Sequence, residues 1–505
     1  MKKLVLRSVL IAVLLTGAVA LLVWYWTMKR EVPAQARVIP SDAFAVLTLN
    51  VRELARDRSG DEHLFPDMID KGILENELAP FTRAITANGA TGVAEMADIL
   101  LFTYHSGDAG FFGIAVELED SAVFGELMRV HVAKEFNISP LSFDGIPVMR
   151  FDTTAAAFGW TEDAALFLYP LGNHGIATVS TQCIKLLKQQ KENSVMANEN
   201  FCAMEKNTFS MDLWIQTQPF LNFSGGGKIT QFVSGIQYFN YLAEFENGKI
   251  LVRSEWHLDT DVDKDDIEEI PFPCEAKEVV GFIRTHIDPA SDTLYERYTD
   301  TPPLENLPLS DEELQELIPY LTGNCMMITH DTTLQRMMTF DNYDLPPDTM
   351  SYVATAETYC FEVADEAKVR ALLEPIMDRD SISLTSGGWD FGAFRLILTE
   401  KMLTYTNHTG TDGRNHSIPP ELAGYMAWFD LHRLFASEET NPFGFFIRGK
   451  EANDLLSENL VSFSNTIPVQ FGRVRQSQIT LTFKNEEVNG LIQLEEIVRK
   501  VYSSR

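Results

Sequence analysis

An uncharged run near the N-terminus constrains this chain more than any other feature of its sequence. Residues 8–28 are 21 consecutive uncharged positions between Arg7 and Lys29, and most of them are Leu, Val or Ala. As a helix the run would be roughly 31 Å long, which matches the hydrocarbon core of a bilayer. We therefore predict that residues 1–30 form a transmembrane anchor, with residues 8–28 inside the lipid bilayer.

The residues that flank this run predict its orientation. Three basic residues precede it and three aromatic residues close it: Lys2, Lys3, Arg7, Trp24, Tyr25 and Trp26. Positive charges favour the cytoplasmic side, and aromatic rings favour the bilayer interface. We expect a single-pass protein of the inner (cytoplasmic) membrane with a cytoplasmic N-terminus and a periplasmic or otherwise extracytoplasmic body.

A cleavable signal peptide is the competing interpretation of the same segment. Ala34, Gln35 and Ala36 offer a small-residue cleavage site. The apolar run is longer than the roughly 7 to 15 residues of a typical signal-peptide core, which favours the anchor.

The chain is strongly acidic. Its 505 residues include 72 Asp and Glu against 41 Lys and Arg, a formal net charge of −31. This charge repels polyanions, so we predict that nucleic acid is not a partner and that an anionic lipid surface does not attract the body.

One internal match suggests that the body consists of two related parts. Residues 116–122 align with residues 361–367 at an offset of 245, and three of the seven pairs are identical. In both copies an alternating strand ends in an Asp, Asp120 or Asp365, that is well placed to cap a following helix. The shared pattern is a strand, a cap and a helix.

Further matches follow in the same order along the chain. They begin at Pro40 and Pro273, Thr161 and Thr399, Met211 and Tyr425, and Phe245 and Phe483, with offsets of 233, 238, 214 and 238. Such collinear similarity is typical of an internal duplication whose loops differ in length.

The strand-rich pattern predicts the fold class. Alternating or continuous apolar runs, joined by turn signals, favour antiparallel strands covered by helices. We predict an α+β protein with two tandem related domains, each a mostly antiparallel sheet with helices on one face. The predicted parts after the anchor are a short linker, a first repeat, an acidic and Pro-containing linker, and a second repeat: residues 31–37, 38–258, 259–273 and 274–505.

A capping box predicts one helix of the second repeat. Ser310 and Glu313 have the spacing of reciprocal caps, and Pro319 is expected to end the helix near Ile318.

Site motifs fail at positions that their chemistry requires. Asp259, Asp261 and Asp263 resemble the start of a calcium loop, but Lys264 replaces its essential Gly. Residues 225–229 resemble a phosphate-binding loop but lack the Ser or Thr that holds Mg²⁺. No common hydrolase motif is present. The sequence assigns no catalytic, cofactor-binding or metal-binding residue.

Two histidines and two tryptophans offer weaker candidates. His408 and His416 flank a turn and could face each other as metal ligands, but without a placed carboxylate the site is incomplete and an ordinary hairpin surface is favoured. Trp214 and Trp428 occupy matching places in the two repeats, where core aromatics are favoured over a ligand platform.

The cysteines suggest buried thiols. The five are scattered and include no C-x-x-C pair. Cys183 and Cys202 are the one pair worth testing for a disulfide, while Cys325 and Cys360 lie in apolar, strand-like runs.

Two segments carry a family resemblance. Residues 38–46 with 50–54, and residues 198–201 with 211–214, resemble a family of membrane-attached envelope proteins of Bacteroidota-type bacteria whose members are uncharacterised. The resemblance implies a long exported domain, but no activity and no site residue. Its members are often lipid-anchored through Cys, and the transmembrane segment here departs from that pattern.

The sequence therefore favours a membrane-anchored envelope protein without enzymatic activity. Its duplicated domain is expected to bind a protein partner or an apolar ligand outside the inner membrane. The alternative is an envelope hydrolase whose acids and histidines converge only in three dimensions.

Overall fold

A computed structural model of the chain describes most of the body. The described residues are 32–57, 92–224, 235–259, 270–286, 309–339, 348–436 and 450–503, apart from short gaps at 95, 108, 134–137, 139–140, 152–154, 173–174, 208, 381, 386–387, 391–393 and 412–413. Within them, no helix is both long and apolar enough to cross a bilayer. The predicted anchor and the glycine-rich segment at residues 225–229 lie outside the described residues.

The chain divides into two units. Unit 1 comprises Met1–Phe245 and Ser254–Asp259, and unit 2 comprises Glu246–Arg253 and Thr260–Arg505. Both units combine helices with antiparallel strands, so the predicted α+β class is confirmed.

Unit 1 begins with a short 3₁₀-helix, Ala34–Val38. Its further elements are β1 Ala45–Leu49, α1 Val51–Asp57, β2 Ile99–Ser106, β3 Ala109–Glu117, α2 Ser121–Leu127, β4 Leu141–Phe143, β5 Ile146–Phe151, β6 Ala156–Trp160, β7 Ala164–Leu171, α3 Ile176–Leu187, α4 Glu199–Met204, β8 Met211–Gln216, α5 Thr217–Ser224, β9 Ile236–Glu246 and β10 Lys249–Leu258. The last of these strands, β10, is divided between the two units.

The sheet of unit 1 is antiparallel throughout, with the strand order β9-β8-β1-β2-β3-β7-β6-β5-β4. Helices cover both of its faces. Val179 and Leu186 of α3 pack with Leu166 on one face, and Phe124 of α2 packs with Ile114 on the other.

Unit 2 has a comparable set of elements. They are β11 Val279–His286, α6 Asp311–Leu317, β12 Leu321–Thr339, β13 Asp348–Val363, α7 Glu366–Arg379, β14 Ser383–Thr385, β15 Gly388–Asp390, β16 Arg395–Leu398, β17 Met402–Thr406, α8 Pro420–Ala423, β18 Tyr425–Asp430, α9 Leu431–Ala436, α10 Lys450–Asn459, β19 Leu460–Thr466, β20 Val469–Phe471, β21 Val474–Phe483 and α11 Gly490–Ser503.

Its sheet is also antiparallel, with the order β21-β19-β18-β11-β12-β13-β17-β16-β15-β14. β20 pairs with the first residues of β21. Val369 and Leu373 of α7 pack on one face, and Phe272 packs with Phe282 on the other.

The predicted placement of helices on one face is wrong. Neighbouring residues of β3, such as Ile114 and Ala115, point to opposite faces of the sheet, and both are buried. A nearly continuous apolar strand is typical of a sheet that is covered on both sides.

The local capping predictions are confirmed. The Asp120 side chain accepts hydrogen bonds from the backbone N–H of Ala122 and Val123, and Asp365 accepts one from Lys368. Ser310 and Glu313 form the reciprocal capping box of α6. Both kinds of cap satisfy backbone donors that have no partner inside the helix.

The residues predicted as linkers are partly packed. Gln35 and Ala36 are buried in unit 1, and Ile270 and Phe272 are buried in unit 2. Residues 260–269, which hold most of the acidic segment, lie outside the described residues.

Candidate functional site

Three neighbouring strands of unit 2 place polar side chains in its interior. His330 on β12, Thr358 on β13 and Thr406 on β17 lie on one face of the sheet, where residues on adjacent strands come close. The His330 Nε2 atom is 2.8 Å from the Thr358 Oγ1 atom, which is 2.6 Å from Thr406 Oγ1.

The loop after β17 completes this cluster. The ring of His408 stacks on that of His330, with centroids 3.8 Å apart and planes 3° from parallel. The Thr411 Oγ1 atom is 3.3 Å from the Oγ1 atoms of both Thr358 and Thr406. We call His330, Thr358, Thr406, His408 and Thr411 the His–Thr cluster.

Backbone groups and one arginine hold the cluster in place. The Arg395 guanidinium donates to the carbonyls of His408 and Thr411, at 3.3 and 3.0 Å. His330 Nδ1 is 3.1 Å from the Glu278 carbonyl oxygen. A carbonyl can only accept, so Nδ1 carries a proton, and in the neutral imidazole Nε2 then accepts from the Thr358 hydroxyl.

The contact between His330 and Thr358 pairs a base with a hydroxyl nucleophile, but both residues are buried. An imidazole nitrogen that accepts from a Thr hydroxyl is the arrangement that activates such a nucleophile. However, His330 is 1% exposed and Thr358 and Thr406 are 0% exposed. A substrate therefore cannot reach the hydroxyl in this conformation.

The His–Thr cluster is also unsuited to a metal ion. Face-to-face imidazole rings direct their nitrogen lone pairs along parallel planes rather than toward one point. Within the described part of the chain, no group of three or more His, Cys, Asp or Glu residues could hold a metal ion.

The same sheet positions of unit 1 are mostly apolar. When the two sheets are aligned on Trp214 and Trp428, the positions of His330, Thr358 and Thr406 hold Tyr104, Gly113 and Leu168 in unit 1. Tyr104 and Leu168 belong to the main hydrophobic core of unit 1. In this alignment the polar cluster of unit 2 has no equivalent among the described residues of unit 1.

The predicted histidine pair does not form a described site. His408 stacks on His330, whereas the backbone of His416 pairs with Phe272 at 2.8 and 3.1 Å. Sequence reasoning missed His330, because it contacts Thr358 only through strand pairing and has no local motif.

Trp214 and Trp428 contribute to the hydrophobic cores. Trp214 is fully buried and packs edge-on against Phe201, with centroids 5.4 Å apart. Trp428 is half-buried, with its ring centroid 6.4 Å from that of Phe282. Both positions fit the predicted role as core aromatics.

All five cysteines are free thiols. Cys183 is buried, and burial raises the pKa of its thiol to about 12. Cys202 is half-buried, and its Sγ donates to the Met196 carbonyl oxygen. The pair considered for a disulfide is therefore not bridged, and Cys325 and Cys360 are buried as predicted.

The similarity of this chain to known proteins is low. Neither protein-family models nor curated proteins match the chain. Among solved structures, crystal forms IV, III and I of TP0453 are similar to it at TM-scores of 0.29, 0.28 and 0.28, with 12%, 11% and 8% sequence identity. The matches cover 45%, 45% and 46% of this chain, and 81%, 82% and 81% of the TP0453 chains. The resemblance to Bacteroidota-type envelope proteins stays a prediction.

Proposed function

We propose that this protein is a membrane-anchored envelope protein, built from two copies of one α+β domain, that binds a protein partner or an apolar ligand and does not catalyse a reaction. The anchor at residues 8–28 would hold its body outside the inner membrane. The strand ladders support the duplication, the packing near the N-terminus supports the anchor, and the buried His–Thr cluster supports the absence of catalysis.

The strand ladders support the duplication. A line of paired residues crosses unit 1 through Trp214, Val46, Phe102, Gly113 and Leu168, and another crosses unit 2 through Trp428, Phe282, Ile328, Thr358 and Thr406. Starting from the two tryptophans, these ladders relate Gly113 to Thr358, 245 positions apart, and Leu168 to Thr406, 238 apart. The sequence matches at Asp120 and Thr161 have the same two offsets. This agreement to the residue supports a common origin of the two sheets, because a slip of one residue would turn every side chain to the other face.

Matching core positions add to this support. Residues of the core clusters that contain α2 in unit 1 and α7 in unit 2 recur at the same offsets: Ile114 and Tyr359, Val116 and Phe361, Phe124 and Val369, Met128 and Leu373, Ala165 and Leu403, and Phe167 and Tyr405. The capped helix therefore covers the same face of each sheet.

One of the sequence matches does not fit this correspondence. Phe245 lies one residue before the end of β9, which pairs with β8, whereas Phe483 ends β21, which is separated from β18 by β19. That pair joins different places in the strand order, so we exclude it from the proposed alignment.

Packing near the N-terminus supports an uncleaved anchor. Gln35 and Ala36 are 0% exposed, and the Gln35 Nε2 atom donates to the Asp98 carbonyl at 2.7 Å. Cleavage after Ala36 would remove these buried groups from unit 1. Val32 already packs against its core, so a tether from Met28 would span at most about 14 Å.

The buried His–Thr cluster is the observation on which our preference for binding over catalysis rests. The contact between His330 and Thr358 favours the alternative, an envelope hydrolase, because it pairs a base with a nucleophile. Its complete burial argues against that alternative. Buried polar networks often specify one packing arrangement, which explains the cluster without catalysis.

The test compares full-length protein with a Thr358→Val variant in envelope membranes. We expect both to leave ester, amide and phosphoester substrates intact, and short-range cross-linking in intact cells to yield the same discrete adduct for both. Hydrolysis that is present in the natural protein and lost in Thr358→Val would favour the hydrolase. If neither an adduct nor a co-purifying apolar molecule were found, the binding proposal would be wrong.

A further inference from the structure

The last hairpin of unit 2 extends past the end of β18, and its strand β21 also pairs with β10. β19 and β20 both pair with β21, so residues 460–483 form one hairpin with its turn at Gly472 and Arg473. The neighbouring strand β18 pairs with β19 only as far as Thr466. β20 and the facing residues of β21 therefore extend past β18 and form what we call the hairpin tip, residues 469–476.

The hairpin tip exposes large apolar side chains. Phe471 is 63% exposed and Val469 is 54% exposed. Alternate residues of a strand share a face, and Val474 lies opposite Phe471. Gly472 has φ +60, which suits the first position of a two-residue hairpin turn. The tip thus presents Val469, Phe471 and Val474 on one face.

The sequence of residues 459–485 differs in charge from the chain as a whole. No Asp or Glu occurs between Glu458 and Glu486, although 72 of the 505 residues are acidic. The same stretch contains Arg473 and Arg475. In unit 1, β9 occupies the place of β19 beside the tryptophan-bearing strand, and it ends in exposed Glu244 and Glu246.

From these features we propose that the hairpin tip is a membrane contact that inserts Phe471 and Val469 into the interface of an anionic bilayer. Exposed aromatic and aliphatic side chains beside arginines match the apolar boundary and the negative headgroups of such a surface. The net charge of −31 repels anionic lipid from the body as a whole, so we place the contact at residues 469–476, whose own sequence contains arginines and no acid.

A second copy of the chain is a poorer fit to the same surface. β20 has three residues and Pro468 stands before it, and short strands next to Pro resist pairing with another chain. Two bodies of charge −31 also repel each other. The bilayer is therefore the occupant to which the proposal commits.

The membrane contact rests on the proposed function, because the anchor would hold the body close to a bilayer. Its test does not require the anchor to span that bilayer. Full-length Phe471→Trp protein is placed in vesicles of phosphatidylcholine and phosphatidylglycerol that contain brominated lipid. Leu384→Trp is the matched control, because Leu384 on β14 of the same unit is 70% exposed. The emission of the natural tryptophans is subtracted.

We expect the tryptophan at position 471 to emit at shorter wavelength and to be quenched about twice as strongly as the control, or more. Adding Arg473→Glu and Arg475→Glu, replacing the anionic lipid or raising the salt concentration should remove the excess quenching. Circular dichroism checks that each variant is folded.

Equal quenching at positions 471 and 384 in anionic vesicles would overturn the proposal. The proposal would also be overturned if shielding of the tryptophan at position 471 depended on protein concentration and not on lipid. That result would indicate contact with a second copy of the chain. Alkaline carbonate extraction of the same vesicles reports separately on the anchor. Release by carbonate together with excess quenching at 471 would contradict the anchor and support the hairpin contact.

Discussion

The imidazole rings of His330 and His408 are stacked 3.8 Å apart in the interior of unit 2. His330 belongs to β12, whereas His408 lies in the loop after β17, so the stack fixes that loop against the sheet. The Thr358 hydroxyl group contacts His330, and the hydroxyl groups of Thr406 and Thr411 contact that of Thr358.

Replacing Thr358 by Val should destabilise unit 2 by about 1–3 kcal/mol, because buried partners lose their hydrogen bonds to its hydroxyl. His330 Nε2 and Thr406 Oγ1 are those partners. Thr409→Val, at an exposed position of the neighbouring loop, is the control and should have almost no effect. Urea denaturation measures both. Equal stability of the two variants would mean that the His–Thr cluster does not stabilise the fold.

The caps at Asp120 and Asp365 should respond alike if the units are related. Alanine at either position removes the acceptor for backbone N–H groups at the start of a helix, and should lower the melting temperature by about 2–4 °C. Asparagine caps helices as well as aspartate and should preserve most of the stability. Calorimetry of the four variants checks this, and a loss confined to one unit would contradict a shared role.

The ion pair between Arg37 and Asp163 should make unit 1 sensitive to acid. Arg37 Nε donates to Asp163 Oδ2 at 2.9 Å, and hydrogen bonding to Arg37 lowers the pKa of the Asp163 carboxyl. A lowered pKa in the folded state stabilises the fold above the usual Asp pKa of about 4, and this contribution is lost as the pH falls through the lower value.

Asp163→Asn should therefore cost up to about 1 kcal/mol at pH 7, a value that allows for solvent screening of a half-exposed side chain. The variant and the natural protein should converge in stability as the pH is lowered below about 4. Asp144→Asn is the control, since Asp144 pairs with Lys188 at the surface and should matter little. Denaturation curves across this pH range would contradict the account if the difference stayed constant.

The sequence predicted those features that depend on neighbouring residues. Asp120, Asp365 and Ser310 precede helices at cap spacing, and each is a cap in the structure. The strand at residues 111–118 was also predictable, because its apolar run is long and bounded by turn signals. These signals operate within a few residues of the chain.

Features that depend on distant residues were not predictable in this way. His330 meets Thr358 across 28 positions and His408 across 78, and no spacing rule connects them. The covering of both sheet faces did have a signal, the continuous apolar character of β3, but the strand's own sequence does not show that α2 and α3 supply the cover. Only the pairing of strands brings these parts together.

The central claim is that the protein keeps an uncleaved membrane anchor, and one measurement tests it. Membranes that contain the full-length protein are washed with alkaline carbonate, and the pellet is analysed by peptide mass spectrometry. We predict that the protein stays in the pellet and yields peptides from residues 1–30. Release into the supernatant, or a mature N-terminus at Arg37, would contradict the account.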